Sequence, residues 1–387
     1  MKKTFIKVLC LAFVALLTLS CFTACGGSEE AYVIGVSGPV TGPAAVYGEA
    51  VKNSAQMAVD EINAKGGLNG VKFKLVFLDD KHDAGNISTN YASLVEQGMQ
   101  VSLGTVTTAP GLEFTKYAKQ DNVFFLTPSA SGDKIPEFAN GYQMCFADGN
   151  QGSVAANYVN SLFTSAKTIG ILYNSADPYS KGIYDQFKAA LNANITTIDA
   201  AFTDDKTADF SGQINQLKDC DFIFMPIYYT PASTFMKQAK DIVPANAVYY
   251  GCDGLDGIDS AIEGFNINEI PQEVSMLSHF NSKATDGAAK EFVDKYVAKY
   301  GSGTLNQFGA SAYDCVYALY NAMKAAIDGG KDIPADISAS ELCEILKAEF
   351  NGDFKFSGVT GNDITWQDNG YVQKDAVKYI VKAASAQ

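Results

Sequence analysis

Tyr32-Val33-Ile34-Gly35-Val36-Ser37-Gly38-Pro39-Val40-Thr41-Gly42 opens the stretch that decides the fold. A short apolar strand ends in hydroxyls, glycines and a proline, the composition of a turn. Residues 49–65 then place Val51, Ala55, Ala58, Val59 and Ile62 on one face at helical spacing, and Gly66-Gly67 stops the helix. A second strand reads over 71–78. Strand, helix, strand in that order predicts a βα unit with parallel neighbouring strands.

The rhythm continues outward. Strands read at 101–104 and 123–126, with helical stretches between them. Near Asp148 the series restarts, with strands at 168–173, 222–225 and 248–250 and helices at 179–193, 210–219 and 231–240. The two series match in rhythm but not in sequence, which predicts two similar α/β lobes rather than a repeat. After Pro271 come two long helices, 284–300 and 308–327, and a short strand-like tail. No low-complexity linker divides the halves, and lobes joined in this way usually exchange the chain more than once, which makes a hinge. The expected first lobe is 32–146 plus 277–350, and the second is 147–276 plus 351–387.

Upstream, Lys2, Lys3 and Lys7 precede an uncharged, mostly apolar run over 8–19. That run falls short of the roughly 18 apolar residues a bilayer span needs, and small residues follow it, as in a secretory signal peptide. The expected signal peptide is 1–24, followed by a leader over 25–31. Cys21 and Cys25 compete as the processing site. Thr23-Ala24-Cys25-Gly26-Gly27 resembles the bacterial lipobox better, since a small residue precedes Cys25 and a flexible segment follows. The resemblance implies a lipid on Cys25 that anchors the chain to the outer face of the cell membrane.

Beyond residue 24, 26 lysines stand against 43 acidic residues, a net charge of −17, and the chain contains no arginine. Without arginine forks, nucleic acid and phosphate are poor candidate ligands. Any bound carboxylate must then be held by backbone N–H groups and hydroxyls. Five cysteines follow Cys25: Cys145, Cys220, Cys252, Cys315 and Cys343. An odd number without a CxxC pair argues against a disulfide framework and leaves room for one bridge. With only His82 and His279, a metal centre or histidine-based catalysis has little to build on. No G-x-S-x-G elbow, HExxH or P-loop is present, so the chain reads as a receptor rather than an enzyme, with no cofactor.

In open α/β sheets, ligands bind outside the carboxyl ends of the strands. In the first half those ends carry 37–42, Tyr47-Gly48, Thr105 to Pro110 and Thr127-Pro128-Ser129-Ala130-Ser131-Gly132. In the second they carry 174–179, Ile227-Tyr228-Tyr229-Thr230 and Gly251-Cys252-Asp253-Gly254. Hydroxyls and helix-starting amides on one side, with tyrosines and a carboxylate on the other, suit a zwitterion. Taken singly, each Ser or Thr is as readily an ordinary N-cap, and Tyr228 and Tyr229 as readily pack a strand end. The set carries the reading, not its members.

Ser37-Gly38-Pro39, Tyr47-Gly48, Ala58-Val59-Asp60-Glu61-Ile62-Asn63-Ala64-Lys65-Gly66-Gly67-Leu68-Asn69-Gly70 and Asp79-Asp80 resemble the opening of the branched-chain amino acid binding proteins of ABC transporters. These are type I periplasmic binding proteins, also called the Leu/Ile/Val-binding family. The likeness runs through Thr127-Pro128-Ser129-Ala130-Ser131, Tyr179, Tyr229-Thr230-Pro231 and Gly251-Cys252-Asp253-Gly254 to Ile364-Thr365-Trp366. It implies two Rossmann-like lobes with parallel sheets, joined by a multi-strand hinge. It also implies a lipoprotein that encloses a free amino acid between the lobes and passes it to ABC permease subunits. Thr108, Ser129, Ser131 and the backbone at Ala130 are expected to hold the ligand carboxylate. Asp253 is expected to pair with the ammonium, and Tyr47, Tyr179 and Tyr229 to wall the pocket. Two departures stand out: Asp253 where the family commonly has glutamate, and Cys252 where proline is common. They leave the ligand open among branched-chain, other apolar and aromatic amino acids and small amides, and a sensory lipoprotein stays open beside the importer.

Overall fold

The computed structural model describes residues 30–138, 140–260, 263–374 and 377–384, so the signal-peptide and lipidation readings at 1–29 lie outside the described residues. β1 (Ala31–Gly38) turns into α1 (Ala45–Ala64), and β2 (Lys72–Asp79) returns beside it in parallel register from Ala31↔Lys72 to Gly38↔Asp79. The helix begins four residues earlier than its apolar periodicity predicts. Its first helical residue is Ala45, with Ala44 as the N-cap and Pro43 just before it.

α2 (Ile87–Glu96), β3 (Val101–Thr105), α3 (Thr108–Asp121), β4 (Phe125–Thr127) and β5 (Gly141–Gln143) complete a five-stranded sheet of order β2-β1-β3-β4-β5. All its pairings are parallel. Every residue of β3, β4 and β5 is buried, the mark of strands covered on both faces.

α4 (Asp148–Leu162), β6 (Lys167–Asn174), α5 (Pro178–Ala190), β7 (Ile195–Phe202), α6 (Ser211–Leu217), β8 (Phe222–Met225), α7 (Tyr229–Ala239), β9 (Val248–Gly251) and β10 (Glu273–Ser278) build the second lobe. α8 (Gly287–Tyr300), α9 (Gln307–Asp328) and α10 (Ala339–Phe350) follow, and β11 (Val377–Lys382) closes the described chain. The second sheet has six strands in the order β11-β10-β9-β8-β6-β7, parallel except where β11 runs antiparallel to β10. Two parallel-dominated sheets and a chain that passes back and forth between them are the architecture expected from the sequence.

The long helix α9 returns to the first lobe and packs along α1. The Tyr313 and Tyr317 hydroxyls both donate to Glu61 Oε2 at 2.8 Å, so the predicted helix face of α1 is matched by a polar seam beside it. α10 stands within the region read as a strand-like tail. Its start carries a capping box, with Ser338 accepting from the Glu341 amide and Glu341 reaching back to the Ser338 amide. Residues 356–372, expected with the second lobe, lie against the end of the first sheet. Trp366 Nε1 donates to Gln143 O at 2.7 Å, the Gln143 amide donates to Gly370 O at 3.0 Å, and Phe350 meets the Trp366 ring at 4.5 Å.

The chain passes between the sheets three times: after β5, after β10 and before β11. Polar groups tie these crossings together. Lys374 Nζ donates to Met144 O at 2.8 Å and to Thr360 Oγ1 at 2.7 Å. Asp314 on α9 accepts from the Val359 and Thr360 amides, both at 2.8 Å. Burial raises the Asp314 carboxyl and lowers the Lys374 ammonium to about 8. His279, at the second crossing, stands edge-on to Phe146 at 5.2 Å.

The five described cysteines are all buried and unbonded, and burial raises their thiols.

Gly48 lets α1 meet the turn after β1. A Cβ there would lie 1.7 Å from Pro39 O and 2.4 Å from its carbonyl carbon, both rigid backbone atoms. Gly48→Ala is therefore expected to lower the unfolding free energy by about 1–3 kcal/mol or more. Urea unfolding of the variant beside the wild type checks this; an unchanged midpoint would show that the turn yields freely.

Candidate functional site

The carboxyl ends of both sheets face each other, and the residues that follow the strands meet there. Tyr47, in the first turn of α1, reaches across: its hydroxyl donates to Gly254 O at 2.5 Å and accepts from the Tyr229 amide at 3.4 Å. The Val46 amide donates to the Tyr229 hydroxyl at 3.2 Å, and Thr230 Oγ1 donates to Pro43 O at 2.6 Å. The lobes are thus in contact, held by hydrogen bonds between groups that neither lobe satisfies alone.

Asp253 lies at the centre, directly after β9, and is 1% exposed. Its Oδ1 accepts from the Tyr179 hydroxyl at 2.8 Å, and that hydroxyl accepts in turn from the Gly254 amide at 2.8 Å. The Asp253 amide donates to Gln151 Oε1 at 3.1 Å. Among the described residues, Oδ2 has no hydrogen-bond partner. Burial pushes this carboxyl up to about 7, against the opposing pull of the Tyr179 hydroxyl. A carboxylate in this position is short of one positive partner.

Tyr179 comes from the first turn of α5, where Asp177 caps the helix by accepting from the Ser180 amide. Its ring stacks on Tyr228 at 4.6 Å and 14°. Tyr228 is the N-cap of α7, so its extended backbone turns the ring inward just before the helix begins. It also lies 5.9 Å from the Tyr47 ring and stands edge-on to His82 at 5.0 Å, and its buried hydroxyl has no partner.

On the opposite side Thr108 opens α3, and its buried hydroxyl is also unpartnered among the described residues. Ser129 and Ala130 are occupied within their own lobe: the Ser129 hydroxyl donates to Val106 O at 2.6 Å, and the Ala130 amide donates to Thr127 Oγ1 at 3.0 Å. Ser131 faces Asp148, which accepts its hydroxyl, while the Asp148 amide donates to Ser131 O at 2.8 Å. Asp148 Oδ1 and Gln151 Nε2, one turn apart on α4, are buried and unpartnered too. Burial raises the Asp148 carboxyl well above the usual range.

The structure therefore gathers Tyr47, Thr108, Ser131, Tyr179 and Asp253 around one locus. Tyr229 lies at its rim as a cross-lobe contact, and Ser129 and Ala130 lie behind Thr108 as the frame of the turn. Sequence reasoning passes over Asp148 and Gln151, offers Tyr228 only among the strand-end tyrosines and reads His82 as a lone histidine. Asp148 and Gln151 were findable as the polar start of a helix placed just after a strand end. A cavity of about 250 Å³ beside this locus is lined by Thr108, Gly132, Asp148 and Pro178. A second, of about 280 Å³, lies at the cleft mouth between His82 and Asp205.

Known proteins resemble this chain in sequence and fold. Leu/Ile/Val-binding protein BraC3 of Rhizobium johnstonii is 31% identical over 323 residues, covering 79% of this chain and 85% of that protein. Leu/Ile/Val-binding protein homolog 3 of Brucella melitensis is 29% identical over 315 residues, covering 78% and 81%. Among solved structures, the branched-chain amino acid transporter substrate binding protein LivJ from Streptococcus pneumoniae, in complex with isoleucine, superposes with a TM-score of 0.77. That pair is 26% identical, over 91% of this chain and 98% of the other. The sequence profile of the periplasmic binding proteins matches residues 31–378. With that match over nearly the whole described chain, this protein belongs to the periplasmic binding protein family.

Proposed function

We propose that the chain is the extracytoplasmic receptor of an ABC importer and closes its two lobes on a free apolar amino acid, branched-chain in the first instance. The observation that carries this reading is the pairing across the cleft of unpartnered buried atoms of opposite character. Asp253 Oδ2 on the second lobe is an acceptor in need of a cation, and Thr108 Oγ1 on the first is a hydroxyl free to donate. An α-amino acid supplies an ammonium for the one and a carboxylate for the other.

In this reading Asp253, steadied by Tyr179, takes the ammonium, Thr108 donates to the carboxylate, and Ser131 joins it when its hydroxyl turns from Asp148 to the ligand. The turn built by Ser129 and Ala130 sets the position of both hydroxyls. The rings of Tyr47, Tyr179 and Tyr228 wall the side-chain pocket, with Tyr229 closing the rim. The relatives named for leucine, isoleucine and valine support the ligand class, and family membership supports delivery to permease subunits. Asp253 in place of a longer glutamate draws the ligand about one methylene deeper into the second lobe.

A thermal-shift panel of free amino acids tests the reading. The best ligand raises stability by about 2.7 kcal/mol at 100 times its dissociation constant. A panel in which benzoate raises stability and no amino acid does would overturn the ammonium assignment. With the best ligand in hand, Asp253→Asn is expected to weaken binding by about 30-fold to several thousand-fold, the equivalent of about 2–5 kcal/mol for a buried charge pair that loses one member. Calorimetric titration reads this directly, and binding within threefold of wild type would sink the role given to Asp253.

The leader supports a lipid anchor at Cys25. Cys25→Ser in the producing cell is expected to leave a folded domain free of the membrane fraction. Continued lipid labelling of that variant would move the anchor to Cys21.

A further inference from the structure

His82 bridges the lobes in a way that the binding of an amino acid does not require. It follows β2 in a loop where two consecutive non-glycine residues, Lys81 and His82, adopt left-handed backbone, with φ of 60° and 61°. Such conformations are costly and persist where the surroundings fix them. Here the Asp79 and Asp80 carboxylates accept from the Lys81 and His82 amides at 3.0 and 2.9 Å. The strained turn aims the imidazole out of the first lobe and into the second.

Both ring nitrogens are engaged. Nδ1 meets Thr107 Oγ1 of its own lobe at 2.9 Å, and Nε2 meets Asp205 Oδ2 of the second lobe at 3.2 Å. Asp205 is itself oriented by Asn174, whose Nδ2 donates to Oδ1 at 2.9 Å. The His82 ring is 11% exposed and abuts Tyr228, one of the rings of the candidate pocket. The contact is thus placed at the mouth of the cleft, directly over the site.

We infer that His82 is a proton-operated positioning residue for lobe closure: as imidazolium it clamps the first lobe firmly to Asp205 of the second, and as neutral imidazole it holds that contact more weakly. The inference rests on the reading that the lobes open and close around an amino acid. The neutral ring satisfies the same two hydrogen bonds, with Thr107 donating to Nδ1 and Nε2–H donating to Asp205, so the difference between the two forms is chiefly charge.

The charges around the ring set the sign. Asp205 after β7, Asp177 at the start of α5 and Asp80 in its own loop all favour the imidazolium, against its burial, and the net effect raises the His82 pKa. Lys81 and Lys206 line the same cavity and oppose this, while Asp83 and Asp204 line it and reinforce it. Opening the lobes removes Asp205 and Asp177 from the ring and returns it toward its ordinary value near 6.5. The closed form therefore gains from protonation. That gain is complete below the open-state value and is lost as pH rises through the raised closed-state value. The buried Asp177, Asp80 and Asp253 carboxyls, raised to about 7, about 6 and about 7, also titrate in this range, so the test must separate them from the imidazole.

Two measurements between pH 5.5 and 8.5 on wild type, His82→Gln and Asp205→Asn do so. The first is stopped-flow dissociation of L-isoleucine. The second is small-angle scattering of the protein without ligand. In wild type the dissociation rate is expected to rise about fivefold across the range, the scale of one part-buried charge pair. It should rise less steeply than in wild type in both His82→Gln and Asp205→Asn. The ligand-free wild type should become less compact as pH rises, and His82→Gln should not. An equal pH slope in wild type and His82→Gln assigns the effect to the carboxyls and overturns the inference. If L-isoleucine fails to bind wild type at any pH, the ligand reading falls and the scattering decides the clamp alone. A pH response confined to proteins with His82 then supports the clamp, and an unchanged or equal response overturns it.

Discussion

A carboxylate buried with one oxygen paired and one bare is the constraint around which the cleft is organised. Asp253 Oδ1 is satisfied by Tyr179, whose hydroxyl is committed at the same time to the Gly254 amide. That double duty fixes the ring, and the fixed ring gives Tyr228 a surface to stack on. Gly254 O in turn receives the Tyr47 hydroxyl from the other lobe. The short turn after β9 thus determines where the second lobe presents charge, where the aromatic wall stands and where the first lobe makes contact. Gly254 itself sits so close to the Tyr179 hydroxyl that a Cβ would lie 2.6 Å from it, which ties the turn's composition to the same arrangement.

Much of this was legible in the sequence because parallel strands buried on both faces make continuous apolar runs and expose chemistry only at their ends. Ser131 and Asp253 read as candidates in the segments that follow such runs, and Tyr47, Thr108 and Tyr179 in the first turn of the next helix. The choice of Tyr229 over Tyr228 turned on a junction that no periodicity resolves: Tyr228 has extended backbone and Tyr229 is the first helical residue, so adjacent side chains leave in different directions. Asp148 and Gln151 were missed because β5 has three residues, too few to announce the helix that follows. His82 was taken as a lone histidine because its partner Asp205 lies 123 positions away on the other lobe. The path of 356–372 was misplaced for a related reason. The aromatic contacts of Trp366 with Phe350 and Phe354 decide its lobe, and a linear pattern does not display them.

Closure and hinge divide the polar groups between two kinds of work. At the cleft the cross-lobe bonds join hydroxyls and amides that water also satisfies, so each adds only about 0.5–1.5 kcal/mol, and the set opens readily. At the crossings Lys374, Asp314 and Thr360 are drawn out of water, and losing one of them would strand the others. The first arrangement suits a contact made and broken with every solute. The second suits a pivot that must keep its geometry throughout.

The threading of the chain has a consequence for how the protein is made. The first lobe's sheet is finished at residue 143, yet α9, which covers α1, begins only at Gln307. The second sheet's outer strand, β11, arrives only at Val377. A chain emerging from its amino end therefore has neither body sealed until almost all of it is available. Contacts separated by hundreds of positions form slowly, since long loops must close before they gain anything. For a protein whose family works beyond the cytoplasmic membrane, that delay is an asset. A chain that seals late spends longer in the uncompacted form that passage across a membrane favours.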